Sequence, residues 1–496
     1  MSPLLPAMIL IPLLGAAACM ARPGGKGRYA QAAALLNALL AAVMVALFNP
    51  RDPNVQFAVS APWIADLGAT LSLGVDGISL LFIAMVAWIT PAILHAAGGR
   101  AGGRSGRYLG WLLALEALTI GAFASRDGFL FLVFWDLQLI PAFFLVGIWG
   151  GEGRARAALR YALTAAAGSL ALLVALLAVF HTQGGASGEV SMLLVDLTAA
   201  ALPMETQIIV FGALALAFGA RLAMFPLHTW LPSLLATAPA SAAALIAGTT
   251  LPLGLYGFLT FSVALAPQAA AAAAPWGMGL AGIGALHGAV IALGQRDLRA
   301  VVAYTLTGQA GVAAAGMFAL NAAGLRGAVG VALSLGLTTS ALLLLAGMLH
   351  ARRGVWSADE FGGLARVMPR FAVLGLVITL AAAGAPGLSA FAGIVLSLLG
   401  AAQVSHAAAA VAAASVALGA VALMLTFQRV MFGPLSNWRN KALPDLSRRE
   451  LVVMAPLLAL ILLLGLAPGP ALDRAAPAVA RAAAAVAPFL DGWSAP

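Results

Sequence analysis

Apolar runs of bilayer length recur along this entire chain and constrain its fold more than any motif does. About 20 apolar residues in a helix, rising 1.5 Å each, cross the roughly 30 Å hydrocarbon core of a bilayer. Hydrophobic residues make up 62% of the 496 residues and charged residues 9%, against roughly 45–50% and about 25% in soluble domains. We therefore predict an all-α membrane protein with about fourteen transmembrane helices. The spans are predicted near residues 3–20, 29–48, 77–97, 108–125, 128–149, 158–181, 206–221, 239–264, 276–294, 300–319, 325–349, 371–400, 406–431 and 451–468, with a possible surface helix at 471–490.

The positions of the basic residues give an independent test of this span count. The net charge of +9 could suggest nucleic-acid binding, but Lys and Arg are scattered through short connections, which argues against that class. If both termini lie outside, twenty of the 26 Lys and Arg fall in inner connections, as the positive-inside rule requires. The inner residues are Arg22, Lys26, Arg28, Arg100, Arg104, Arg107, Arg154, Arg156, Arg160, Arg296, Arg299, Arg352, Arg353, Arg366, Arg370, Arg429, Arg439, Lys441, Arg448 and Arg449.

The cysteine count limits the cofactors that this chain can hold. Cys19 is the only cysteine. A disulfide framework, or a zinc or iron–sulfur site ligated by several cysteines of this chain, is therefore excluded.

Asp136 lies inside the apolar segment 129–149, which is long enough to span a bilayer. An ionised carboxylate at that depth costs roughly 2.5–3.5 kcal/mol on insertion scales. Such residues usually handle ions or protons, or pair with a buried charge. This position predicts a transport protein.

Two spans are expected to be interrupted. The seventh ends in RLAMFPLHTWLP (221–232), and the twelfth contains GAPGLSAFAG (384–393). Because proline removes a backbone donor and clashes with the preceding turn, these helices are expected to open. Either break alone could be a simple proline kink. Broken helices at related places in two halves indicate inverted repeats with a transport path between them.

Eight sequence blocks carry a resemblance to a known family. They are LGVDGISL (73–80), FWDLQLIP (134–141), GIWGGEGRARAALRYAL (147–163), FPLHTWLP (225–232), LYGF (255–258), QRDLRAVVAYT (295–305), GMLHARRG (347–354) and GAPGLSAFAG (384–393). In order and spacing they resemble the antiporter-like membrane subunits of respiratory complex I. The branch they resemble most is NADH-quinone oxidoreductase subunit M, also called chain 4.

The resemblance implies both an architecture and a setting. It implies two inverted five-helix repeats, with residues 1–107 as helices 1–3, 108–265 as the first repeat, 266–432 as the second, and 433–496 as the last helix and tail. Proton translocation is expected here without redox chemistry or a bound cofactor, since FMN, iron–sulfur clusters and quinone are expected in partner subunits. The partners are other membrane-arm subunits, and the location is the bacterial inner membrane with periplasmic termini.

The chain departs from the family pattern at several positions of the expected proton path. Asp136 stands where the family has a glutamate. Pro252, Leu335 and Ile394 replace an expected lysine, histidine and acid. Two further departures are Arg221 in place of a buried lysine and Gln309 where histidine is common.

These departures matter because a proton relay needs groups whose pKa can cross the working pH. Lysine does so when it is buried, whereas arginine, with a pKa above about 12, keeps its proton. Lys26 and Lys441 are the only lysines, and both lie in predicted connections. Arg221 can therefore act as a fixed counter-charge for Asp136 but cannot release a proton.

Each candidate residue of the path has a functional and a structural interpretation. Asp136 is expected to be a functional charge or a structural hydrogen-bond partner. Arg221 is expected to pair with Asp136 or to extend toward water, and Glu116 to link to a neighbouring subunit or to bond a nearby Ser or Thr. His228 is expected to cap opened backbone rather than shuttle protons, and His287 to be a packing residue or a relay. Asp76 is predicted to cap the third helix.

Three functions remain open from the sequence. The first is a proton-translocating membrane-arm subunit of an NADH:quinone oxidoreductase, supported by the motif match. The second is a non-conducting spacer in the same complex, suggested by the lost titratable groups. The third is a subunit of a related cation/proton antiporter, membrane hydrogenase or ion-coupled uptake complex.

Overall fold

The structure is a computed structural model that describes residues 3–21, 27–98, 106–187, 190–435 and 437–490, with the side chains of 184–187 left out. Among the predicted inner residues, Arg22, Lys26, Arg100 and Arg104 lie outside the described residues.

Helices account for most of the described chain. They are α1 (Leu4–Ala21), α2 (Arg28–Leu47), α3 (Gly77–Gly98), α4 (Gly106–Ala124), α5 (Gly128–Leu137), α6 (Leu139–Trp149), α7 (Arg154–Ser187), α8 (Leu194–Ala199), α9 (Met204–Arg221), α10 (Trp230–Thr237), α11 (Ala240–Gly257), α12 (Val263–Leu265), α13 (Pro267–Gly294), α14 (Leu298–Phe318), α15 (Ala322–Arg353), α16 (Pro369–Ala383), α17 (Ser389–Ala402), α18 (His406–Met431), α19 (Arg448–Leu466) and α20 (Gly469–Val486).

Within the described residues, thirteen helical segments are long and apolar enough to cross a membrane. The short apolar helices α16 and α17 form one further, interrupted span. Together they confirm the all-α membrane fold and the predicted span count. The helix α20 follows the last span and packs on α3 and α15, as expected for a surface helix. The centre of the bundle is α11, whose residues 241–257 are all buried, packed against α3 and α15.

Both predicted breaks are present. The seventh span consists of α9 and α10, joined by residues 222–229, which include one 3₁₀ turn. The twelfth span opens between α16 and α17, where Gly384 and Gly387 adopt φ angles of +82° and +78°. These left-handed conformations favour glycine because a Cβ atom is disfavoured there.

The fifth span is also divided, which the sequence analysis did not predict. α5 ends at Leu137 and α6 begins at Leu139. Pro141 explains the division, since it has no N–H to donate to the carbonyl oxygen of Leu137 four residues earlier.

A two-stranded hairpin lies in the connection 49–76, for which no secondary structure was predicted. β1 (Gln56–Ile64) pairs antiparallel with β2 (Ala69–Val75), with Val59 opposite Leu73 and Ala61 opposite Leu71. We call the side of the bundle that carries β1 and β2 the hairpin end. The opposite side, where α3 and α15 end at Gly98 and Arg353, is the arginine-rich end.

A buried ion pair holds the hairpin end together. Asp76 caps α3, as predicted, by accepting hydrogen bonds from the backbone N–H groups of Ile78 and Ser79 at 3.1 and 2.9 Å. The Arg126 guanidinium donates to the Asp76 carboxylate at 3.0 Å, to the Ser79 hydroxyl at 3.0 Å and to the Gly74 carbonyl at 3.2 Å. One arginine therefore joins the α4–α5 connection to β2 and α3.

The balance of burial and charge sets the pKa of this carboxyl group. Burial by itself raises the pKa of Asp76, but the Arg126 guanidinium and the Ser79 backbone amide more than offset this effect and lower the pKa below its usual range. A lowered folded-state pKa stabilises the fold above the unfolded pKa of about 3.9, and that contribution is lost as the pH falls through the folded value.

Replacing Arg126 with methionine is expected to leave the Asp76 carboxylate buried and unpaired. The expected cost is about 3–5 kcal/mol at neutral pH, seen as a lowered midpoint of thermal unfolding in detergent. Arg51→Met, which removes an exposed cation from the same end, should change the midpoint little. Equal midpoints for both variants would contradict the assigned role.

Candidate functional site

Asp136 lies on the outer surface of the described chain, beside the exposed residues Leu137 and Ile140. Its side chain makes no hydrogen bond or ion pair with any described residue. Successive residues of a helix are about 100° apart, and the neighbouring Trp135 is fully buried. Because Trp135 faces the interior, Asp136 faces outward, and its predicted ion pair with Arg221 is wrong.

Arg221 is nevertheless buried in the first half of the molecule, with 3% of its surface exposed. Its guanidinium donates to the Trp135 carbonyl oxygen at 2.8 Å and to the Tyr161 hydroxyl at 3.1 Å, and it lies 4.3 Å from the centre of the Trp135 indole. No described carboxylate lies within 4.0 Å of it. The alternative that Arg221 extends to water is therefore also wrong.

Neutral dipoles and an aromatic face stabilise this cation. Arg221 is the last residue of α9, where the partial negative charge of the helix C-terminus favours a cation. Together with Trp135, Tyr161 and Trp230 it borders a small internal cavity. The sequence reasoning missed Tyr161 and Trp135, because backbone carbonyls and phenols carry no charge pattern.

At the break that follows α9, a tryptophan adds a second donor to the carbonyl oxygen of Ala220, which also accepts from the backbone N–H of Ala223 at 3.2 Å. The Trp230 indole N–H donates to the carbonyl oxygen of Ala220 at 2.8 Å. The His228 side chain has no hydrogen bond to a described residue, and its Nδ1 is buried without a partner. The prediction that His228 caps the opened backbone is therefore wrong, since Trp230 does so.

His228 lies instead against His287, which is 59 residues later in the sequence. The two imidazole ring centres are 5.0 Å apart at an interplanar angle of 65°, and Phe225 lies 5.8 Å from His228 and 5.3 Å from His287. His228 belongs to the seventh-span break and His287 to α13. This contact joins the predicted first and second repeats, and nothing in the sequence separation indicated it.

A second cavity, mostly apolar but with a few polar side chains in its wall, lies farther along, beside the break in the twelfth span. The Gln309 side-chain amide donates to the carbonyl oxygen of Ala382, next to the end of α16. Thr305 and Ser415 line the same cavity, and the Thr305 hydroxyl is buried without a partner. Ile394 forms part of its wall. Where an acid was expected, this cavity has an apolar side.

Hydroxyl groups lie near Leu335, the position where a histidine was expected. Leu335 is 1% exposed, and its neighbour Ser334 shares a 2.8 Å hydrogen bond with Ser389 at the start of α17. Thr339, farther along α15, has a buried hydroxyl without a partner. Pro252 is also buried, inside α11. Hydroxyls and backbone thus replace titratable groups in this region.

Glu116 is fully buried and bonded within the chain. Its Oε1 accepts a 2.9 Å hydrogen bond from the amide of Asn37 on α2, and both residues are 0% exposed. The predicted link to a neighbouring subunit is wrong, because α1, α2 and α3 enclose this part of α4. The partner is also an asparagine rather than a Ser or Thr.

The described residues contain no group of three or more His, Cys, Asp or Glu side chains that could hold a metal ion.

Comparisons with known proteins agree with this architecture. The family model "NADH:quinone oxidoreductase/Mrp antiporter, TM" matches residues 125–419. The NADH-quinone oxidoreductase subunit M of Rhodobacter capsulatus is 33% identical over 97% of this chain and 96% of its own length. That of Mycobacterium tuberculosis strain H37Rv is 33% identical over 96% and 93%. The chain belongs to the NADH:quinone oxidoreductase/Mrp antiporter membrane family.

Solved structures show the same fold. A chain of respiratory complex I from Thermus thermophilus with bound NADH has a TM-score of 0.89 and 33% identity, with 97% of this chain and 99% of that chain covered. A chain of the Mrp complex from Dietzia has a TM-score of 0.81 and 22% identity, covering 96% and 52%. This last likeness shows only the fold.

The matched family region contains both broken spans, the histidine contact and the Gln309 cavity. Glu116 and Asn37 lie before residue 125 and thus outside this region. The α2–α4 contact is a candidate for a structural role, because Asn37 and Glu116 are both fully buried and bonded to each other.

The chemistry of the Glu116–Asn37 contact leads to a stability prediction. Glu116 Oε2 and Asn37 Oδ1 are both buried without a hydrogen-bond donor, a shortage that a protonated carboxyl group supplies. We expect Glu116→Gln to retain near-wild-type stability because its amide also offers a donor. Glu116→Leu should cost about 1–3 kcal/mol by leaving the Asn37 amide unpaired.

Thermal unfolding of both variants in detergent checks this expectation. In the Asn37→Leu background, Glu116→Leu should lower the free energy of unfolding by less than it does alone, because no Asn37 amide remains to lose its hydrogen bond. A large loss of stability in Glu116→Gln would contradict the inference that the Glu116 side chain supplies a hydrogen-bond donor at this contact.

Proposed function

We propose that this chain is a membrane-arm subunit of a bacterial NADH:quinone oxidoreductase and contributes to redox-coupled proton translocation. The observation that carries the proposal is the match along nearly the whole chain, with 33% identity and a TM-score of 0.89 to a chain of complex I that is itself 99% covered. In this setting FMN, iron–sulfur clusters and quinone belong to partner subunits. The membrane is the bacterial inner membrane, and the arginine-rich end lies inside with both termini outside.

The proposed proton path runs between the two broken spans. It passes from His228 to His287, then along the cavity of Thr305 and Gln309 to the backbone opened after Ala382. A neutral imidazole has one donor and one acceptor nitrogen, so it can accept a proton at one nitrogen and release a proton from the other. Thr305 and Gln309 do not titrate, so water must carry the proton along their section. The 5.0 Å distance between the imidazole rings supports this route.

Arg221 has a different proposed role in the first repeat, residues 108–265. It keeps its proton, so it is not a relay. Its buried charge has no described acidic partner, and it therefore repels a proton that approaches the cavity beside Tyr161 and Trp230. We assign it the role of a fixed electrostatic barrier on that side of the path.

Asp136 is assigned to the interface with a neighbouring membrane-arm subunit. It lies about 12 Å along α5 from its start, on an outward face that a bilayer would leave unsolvated. A cation or hydrogen-bond donor on the partner would offset the desolvation cost of this carboxylate.

Replacing His287 tests the path directly. In complexes reconstituted into vesicles, His287→Phe should lower the number of protons translocated per NADH while leaving NADH:quinone electron transfer near wild type. The readouts are a pH-sensitive dye and NADH absorbance. His406→Phe is the matched control because His406 is exposed at the start of α18 and does not line the Gln309 cavity.

A second candidate function is a spacer that keeps the fold but does not conduct. The buried, non-titratable residues Pro252, Leu335 and Ile394 favour it. An unchanged proton yield in both His287→Phe and His228→Phe would select the spacer over the conducting subunit.

The Asp136→Asn variant tests the interface role. It keeps the size of the side chain but removes its charge, so the proton yield per NADH should fall and the complex should dissociate more readily in detergent. Asp66→Asn, which alters an exposed carboxylate in the β1–β2 turn, should change neither quantity. If complexes with Asp136→Asn translocate as many protons per NADH as the wild type and dissociate no more readily in detergent, Asp136 does not belong to the site.

A further inference from the structure

An apolar groove opens between the last span and the surface helix that follows it. It has a volume of about 150 Å³ and is bordered by α2, α3, α15, α19 and α20. Leu81, Met85 and Trp88 of α3 form one wall, and Leu460 and Leu464 of α19 form another. The single charged residue of its lining is Arg474. We call it the α19–α20 groove.

The groove spans about one leaflet of the bilayer. A Cβ atom on Gly77, the first residue of α3, would lie 1.6 Å from the Arg474 carbonyl oxygen, so Arg474 is level with the start of that helix. Trp88 lies eleven residues further, or about 16 Å along the helix axis. This distance is about half of the 30 Å hydrocarbon core. The groove thus runs from headgroup depth to the middle of the membrane.

Arg474 brings to this site a positive charge that the described part of the chain does not balance. No described carboxylate lies within 4.0 Å of its guanidinium, and the adjacent Asp473 pairs with Arg326 instead. Its Nη1 donates to the Pro470 carbonyl oxygen, its Nε is buried, and its Nη2 has no hydrogen bond to a described residue. The Nη2 N–H groups are therefore left for an anion.

We propose that the α19–α20 groove binds a phospholipid, with one acyl chain along the α3–α19 walls and the phosphate on Arg474. At headgroup depth the bilayer itself supplies the complementary anion, a phosphodiester, whose oxygens match the N–H fork of arginine. The lining is too apolar to hold ordered water, and the groove, with a volume of about 150 Å³, is too small for a helix about 10 Å across. The lipid contacts both α19 and α20 and so holds the surface helix against α3.

Photo-crosslinking in nanodiscs tests this site in the assembled complex. The probe is phosphatidylglycerol with a diazirine at the end of one acyl chain, diluted into phosphatidylcholine. In the wild type we expect crosslinks to the deep end of the groove, at Met85 and Trp88. An excess of inorganic phosphate should not displace them, because the acyl chain provides much of the binding.

Two variants separate the headgroup from the acyl chain. Arg474→Gln should lower crosslinking about tenfold, because it removes the charge-assisted hydrogen bonds to the phosphate, and Arg474→Lys should restore part of it. Ala467→Phe fills the groove from its exposed rim and should also reduce crosslinking. Arg481→Gln removes a cation of the same helix that bonds the Pro53 carbonyl oxygen and does not line the groove, and it should match the wild type.

Thermal stability and assembly of each variant are checked first, so that a lost crosslink reports the site rather than misfolding. Equal crosslinking in the wild type, Arg474→Gln and Ala467→Phe would overturn the proposal. So would crosslinks confined to a neighbouring subunit, which would make the groove a protein interface, or the absence of Met85 and Trp88 adducts in the wild type.

Discussion

The need to satisfy backbone polar groups inside a bilayer governs this structure. An unbroken helix bonds its own N–H and C=O groups, whereas each interruption exposes groups that lipid cannot solvate. At the seventh span, the Trp230 indole bonds the carbonyl oxygen of Ala220. At the twelfth, the Gln309 amide bonds that of Ala382. The polar side chains of the site therefore serve first to make the breaks tolerable, and the cavities beside them follow from that role.

The same principle explains how a charge persists in the first half. Arg221 is stabilised by the Trp135 carbonyl, the Tyr161 hydroxyl, an indole face and the end of its own helix rather than by a carboxylate. Its solvation therefore does not depend on the protonation state of Asp136. Substituting arginine for lysine changes the local chemistry from a titrating site to a permanent charge.

The fold could be predicted largely from sequence, because span length and breaker residues act locally. Apolar runs located the spans, and prolines and glycines located both breaks. Asp76 was predicted correctly as a helix cap because capping is decided within four residues. The β1–β2 hairpin was missed because β1 shows no regular alternation of apolar and polar residues, and the alternation of Leu71, Leu73 and Val75 with polar residues in β2 was overlooked.

The site was less predictable because it depends on the rotation and packing of helices. Trp135 is buried and the next residue, Asp136, is exposed. An error of one position in the predicted buried face of the helix therefore reverses the interpretation of the carboxylate. The partner of Glu116 is 79 residues away, on α2. The contact of His228 with His287 likewise depends on how two distant segments pack, and a single sequence contains no record of such pairings.

The nature of the contact between His228 and His287 determines how fast the two side chains can separate. The two rings meet through van der Waals contact, and His287 is only half-buried. Rotation of one imidazole about its side-chain bonds is enough to separate them, without displacement of α13. Rotamer changes in accessible side chains take picoseconds to nanoseconds, whereas helix movements take microseconds to milliseconds. The connection between the two halves can therefore open and close many times during a single rearrangement of the surrounding helices.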